Sequence, residues 1–118
     1  MKNVAVSFVL VTLLASCHIF NRLNSVTTIQ PMDSFILGNN EHGSFKVKVK
    51  NISSVDLEVY HAPVAGGRHS SQIIKPTQSV KIKVDRNTAL NIVNNSKTIA
   101  DVELNVTGDT GLSMGYKN

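Results

Sequence analysis

Phe45-Lys46-Val47-Lys48-Val49-Lys50 alternates apolar and charged side chains without a break. Successive side chains of an extended strand point to opposite faces of a sheet, whereas a helix would scatter the same pattern around its circumference. The segment is therefore a strand, with one face in a core and a row of lysines on the other. The pattern recurs. Val55, Leu57 and Val59 alternate with Asp56, Glu58 and Tyr60; Val80, Ile82 and Val84 alternate with Lys81 and Lys83; Ala100, Val102, Leu104 and Val106 alternate with Asp101, Glu103 and Asn105. Shorter strands are expected over 34–37, 72–75, 88–94 and 112–116.

Residues suited to turns separate these runs: Gly38-Asn39-Asn40, Asn51-Ile52-Ser53-Ser54, Arg86-Asn87, Asn94-Asn95-Ser96-Lys97 and Gly108-Asp109-Thr110-Gly111. The brevity of the Asn51 link predicts that the strands on either side of it pair as a hairpin, lysines opposite acidic residues. The longest internal break is expected over 63–71, around Gly66 and Gly67. About seven or eight short strands, spaced about 8 to 12 residues apart, predict an all-β domain. The expected form is a small antiparallel β-sandwich, immunoglobulin-like in one version, with a small β-barrel as the alternative. The cysteine and tryptophan marks of true immunoglobulin domains are missing.

The N-terminal residues follow a different logic. Lys2 precedes an apolar run from Val4 to Ala15, and small residues close it, which is the layout of a secretory signal. A bilayer core of about 30 Å asks for roughly 20 apolar residues in a helix, more than this run supplies, so cleavage is expected in place of a permanent span. At Leu14-Ala15-Ser16-Cys17 the sequence resembles the lipobox of bacterial lipoproteins, with leucine before two small residues and a cysteine. That resemblance implies a diacylglycerol on the Cys17 thiol, cleavage before Cys17 and, in many bacteria, a fatty acid on the new amino group. It is silent on what the mature domain does. Two or three long acyl chains, at about 0.8 kcal/mol per buried methylene, make such attachment effectively permanent. His18 follows the cysteine, in place of the aspartate that resembles an inner-membrane retention signal in enteric bacteria, so the outer membrane or cell surface is preferred. The expected organisation is a signal peptide over 1–16, a lipidated tether over 17–32 and the β-sandwich over 33–118.

Composition narrows the function further. A chain of 118 residues, less its leader, has room for one core. Cys17 is its single cysteine, so no intrachain disulfide can form and packing alone must hold the fold. With no tryptophan and 5% aromatic residues, a stacking platform for nucleic acid is not expected. The net charge of +4 is mild. Lys46, Lys48, Lys50, Lys81 and Lys83 either form a face that leans on anionic lipid, lipopolysaccharide or another acidic polymer, or are solvated lysines that blunt edge pairing. The second reading is favoured.

No catalytic constellation emerges. His18, His42, His61 and His69 match no metal-binding spacing, so neither a metal nor a cofactor is expected. Ser70 and Ser71 beside His69 are chain neighbours, not a spatial relay. The Asp-Thr-Gly triplet at Asp109 reads as a β-turn, and Asn51-Ile52-Ser53, Asn94-Asn95-Ser96 and Asn105-Val106-Thr107 as chance matches to a glycosylation acceptor. The expected function is non-enzymatic: a membrane-anchored binding or assembly module of the cell envelope, engaging an envelope protein or surface polymer. Gly66, Gly67, Arg68 and His69 are its first candidate contact residues. The alternative is an envelope carrier of a small ligand or glycan, with a pocket inside the domain.

Overall fold

The computed structural model describes residues 22–118; the expected signal peptide, Cys17 and His18 lie outside the described residues. Strands β1 (Arg22–Ile29), β2 (Asp33–Leu37), β3 (Phe45–Asn51), β4 (Leu57–Pro63), β5 (His69–Ile74), β6 (Ser79–Val84), β7 (Thr88–Asn94), β8 (Ala100–Gly108) and β9 (Met114–Tyr116) follow one another along the chain. They build two antiparallel sheets, ordered β1-β8-β3-β6 and β5-β4-β7-β2-β9. Apart from the β4–β5 hairpin, every connection crosses from one sheet to the other. This is the wiring of a jelly roll, two four-stranded sheets made from Greek keys, with β9 added beside β2.

The all-β expectation holds, and four finer expectations give way. An immunoglobulin domain pairs its first two strands within one sheet; here β1 pairs with β8 while β2 pairs with β7 and β9. The β3–β4 hairpin does not form either, because β3 lies between β8 and β6 whereas β4 lies between β5 and β7. The tether expected over 17–32 contains β1, paired with β8 along its whole length from Arg22↔Thr107 to Ile29↔Ala100. Polar Asn24, Ser25, Thr27 and Thr28 disguise that strand in the sequence, yet Ile29 is fully buried and the edge of β8 gains a partner. The break expected over 63–71 shrinks to 64–68, shorter than the 38–44 link between β2 and β3.

Alternation does the packing. In β3 the pattern buries Phe45, Val47, Val49 and Asn51 and exposes each lysine. Val102, Leu104 and Val106 of β8 and Leu57 and Val59 of β4 meet them inside, and the space between the sheets is filled by apolar side chains. β7 departs from the rule: Ala89 and Asn91 on its outward face are buried as well, because β4 and β2 flank it on both sides.

Two connections between the sheets share one device. Fully buried Asn51 donates from Nδ2 to the carbonyls of Val55 (2.7 Å) and Ile74 (2.8 Å) and accepts from the N–H and hydroxyl of Ser53. Fully buried Asn94 donates to the carbonyls of Ile29 (3.0 Å) and Thr98 (2.8 Å) and accepts from the N–H and hydroxyl of Ser96. An asparagine side chain that holds its own turn and a strand of the facing layer satisfies backbone groups which a sheet crossing would otherwise leave without partners.

Candidate functional site: a basic sheet face

The outward residues of the four-stranded sheet fall into rows set by strand register. Arg22, Thr107, Lys46 and Lys83 are successive register partners across β1, β8, β3 and β6, and Asn24, Asn105, Lys48 and Lys81 form the next row. Beyond these rows the positive excess ends. Val26, Glu103, Lys50 and Ser79 make the third row, and Thr28 with Asp101 the fourth. Strands lie about 4.8 Å apart and rows about 6.8 Å, so the first two rows cover roughly 14 by 7 Å. They line an open depression of about 660 Å³.

Five cations therefore stand together at one end of this face: Arg22, Lys46, Lys48, Lys81 and Lys83. Among the described residues the one ion pair joins Lys75 to Asp56, exposed and at 3.7 Å, so none of the five has a carboxylate within pairing distance. Lys46 lies opposite Lys83, and Lys48 opposite Lys81. Like charges directly across a ladder oppose strand pairing. Two carboxylates near this face are engaged elsewhere. Asp101 accepts from the Thr28 hydroxyl at 2.6 Å. Asp109, in the loop after β8, accepts from the N–H groups of Gly43 (2.6 Å) and Gly111 (2.8 Å). Those two backbone donors hold its carboxyl below the ordinary carboxylate value, helped by the charge of His42 and opposed by burial.

The other sequence candidates scatter. Gly66 and Gly67, with φ of 102° and 93°, turn the β4–β5 hairpin in the left-handed region that glycine tolerates. Arg68 stacks its guanidinium 4.1 Å from the centre of the Tyr60 ring. His69 opens β5 opposite His61, so register joins two histidines that the sequence leaves apart. Among the described residues, no group of three or more His, Cys, Asp or Glu side chains could hold a metal ion. His42 is a structural residue: its ring nitrogens lie against the carbonyls of Gly43, Gly38 and Thr88, and its ring packs edge-on against Phe45. Sequence reasoning named the four lysines of this site, together with Lys50, but missed Arg22, which it placed in a tether. It also missed the opposition of β3 and β6, for which no local signal exists.

No protein-family model matches the sequence, and no curated protein matches it. Solved structures do. The chain is similar to the capsular polysaccharide assembling protein CapF from Staphylococcus aureus, at 17% identity and a TM-score of 0.54, over 70% of this chain and 23% of that one. A sugar phosphate isomerase from a cupin superfamily of Silicibacter pomeroyi is similar at 10% identity and a TM-score of 0.52, over 81% of this chain and 68% of that one. Procruciferin, an 11S globulin from Brassica napus, is similar at 5% identity and a TM-score of 0.53, over 80% and 22%. The likeness shows the fold alone. By their names these proteins do unlike things, so the jelly-roll fold leaves function to be argued from the site.

Proposed function

We propose that this protein is a small lipoprotein of a bacterial cell envelope, held in a membrane by lipid on Cys17, preferably in the outer membrane or at the cell surface. It acts without catalysis as a binding or assembly module, and its contact surface for anionic partners is the basic sheet face. The lipobox-like Leu14-Ala15-Ser16-Cys17 supports the anchor. One observation carries the rest: five cations without counter-charge occupy two adjacent rows, two of their pairs directly opposed. Edge protection accounts for Lys81 and Lys83 on the edge strand β6, but not for Lys46 and Lys48, because β3 is paired on both sides. Charge kept against the interest of strand pairing is charge with a use outside the fold.

A general acid calls for a carboxyl with a raised titration point, and Asp109 moves the other way. The carrier alternative needs a pocket between the sheets, where apolar side chains fill the space. The Gly66-Gly67-Arg68-His69 hairpin stays as the candidate contact for an envelope protein, its Arg68 already pre-set on Tyr60.

The full chain, expressed in a bacterium and extracted in detergent, tests both halves. Intact mass should give a product that begins at acylated Cys17, and the protein should bind a dextran sulfate resin until salt releases it. The K46E/K48E variant should pass through that resin. An unmodified thiol would overturn the anchor, and equal retention of the variant would overturn the face.

A further inference from the structure

Resting on the lipid anchor proposed above, we infer that the basic face docks on the anionic phospholipid headgroups of the leaflet that holds the Cys17 lipid. The argument is one of position. The first row starts at Arg22, the first residue of β1, and the next rows run away from that end in the order Asn24, Val26, Thr28. A fully extended chain covers at most about 3.6 Å per residue, so Cys17 stays within about 18 Å of Arg22 whatever path it takes. The charge is graded along this same axis. Arg22, Lys46 and Lys83 stand in the row nearest the anchor and Lys48 and Lys81 in the next, while Glu103 offsets Lys50 in the third row and Asp101 is the one charge of the fourth.

An anionic leaflet attracts basic groups only within a Debye length, about 8 Å at physiological ionic strength. A link of at most about 18 Å to an acyl anchor lets the cations reach that zone at high effective concentration, and contacts too weak to capture a free protein then hold a tethered one. Each lysine or arginine near such a surface strengthens association about fivefold. Thr107, Asn24 and Asn105 lie between the cations and offer hydrogen bonds to phosphate and glycerol oxygens. No aromatic side chain stands on this face, in either the basic or the acidic rows. Sugar recognition commonly uses ring stacking, so the chemistry favours phosphate headgroups over a glycan.

The test uses the full lipidated protein reconstituted in vesicles of phosphatidylcholine alone, or of phosphatidylcholine mixed with phosphatidylglycerol. Brief labelling with an amine-reactive acetylating reagent, read by peptide mass spectrometry, reports each lysine. Labelling of Lys46, Lys48, Lys81 and Lys83 is expected to fall several-fold on the anionic vesicles and to recover in high salt. Lys97, in the exposed β7–β8 turn, should react equally on both. A K48Q/K81Q variant, relieved of one opposed pair and so not expected to unfold, should lose the protection at Lys46 and Lys83. Equal labelling on both vesicles overturns the docking. Protection that appears only when a soluble polyanion such as dextran sulfate is added also overturns it, while keeping the face as an anion site. Protein that never associates with either vesicle, with an unmodified Cys17 by mass, overturns the anchored reading itself.

Discussion

Replacing Asn51 by alanine removes a fully buried side chain that completes four polar contacts at the crossing from β3 to β4. The groups of Ser53 and Val55 are half-buried and regain water when the amide goes. The Ile74 carbonyl belongs to a buried pair and does not. A net loss of about 1 kcal/mol for each of the three contacts that regain water, with about 1–3 kcal/mol for the stranded carbonyl, brings the total to about 4–6 kcal/mol. That is a large share of the ~5–15 kcal/mol that stabilises an ordinary domain. N51D is the more searching variant, since it keeps the shape and both contacts from Ser53 but turns an oxygen toward two carbonyls. It should cost at least as much as N51A at neutral pH and recover in part in acid, where a protonated carboxyl donates again. N105A changes the third acceptor-like asparagine, on the outward face of β8, and should stay within about 0.5 kcal/mol of the parent. Urea unfolding followed by circular dichroism measures all three. If N51A also stays within about 0.5 kcal/mol, the account of the crossing is refuted.

Two further outcomes follow from the basic face and its neighbour. K81E sets opposite charges at Lys48↔81, and the same unfolding assay should show it more stable by about 0.5 kcal/mol even as retention on dextran sulfate falls. Asp109 gives the pH dependence. Because its carboxyl is held below the ordinary value, it favours the folded state above that value, and this contribution disappears as pH falls through the lowered one. D109N should therefore show a shallower loss of stability with acid than the parent, in urea midpoints taken across the carboxylate range.

The strands that alternate strictly were legible because a period of two leaves one solution, and β3, β6 and β8 lie where their patterns place them. β1 was not legible. Its polar side chains satisfy no pattern by themselves, and what makes it a strand is the open edge of β8, more than seventy residues further along the chain. The twin turns were visible as turns, and their matches to a glycosylation acceptor were read as chance; both amides are consumed inside the fold. Nothing within either turn tells a hairpin from a crossing, since the deciding bonds run to the distant carbonyls of Ile74 and Ile29.

That same choice at Asn51 determines the electrostatics of the surface. Had β3 folded back on β4 as a hairpin, its lysines would have met Asp56 and Glu58, and the face would have been close to neutral. The crossing instead sends β4 to the other sheet, where Glu58 accepts a hydrogen bond from Ser71 and Asp56 pairs with Lys75. The place beside β3 is then open to β6, which brings Lys81 and Lys83 opposite Lys48 and Lys46. A basic face on this sheet is thus a product of jelly-roll wiring and not of composition, which is why a net charge of +4 gave so little notice of it. A variant that weakens the Asn51 turn without unfolding the domain should accordingly lose polyanion binding along with stability, although no lysine has changed.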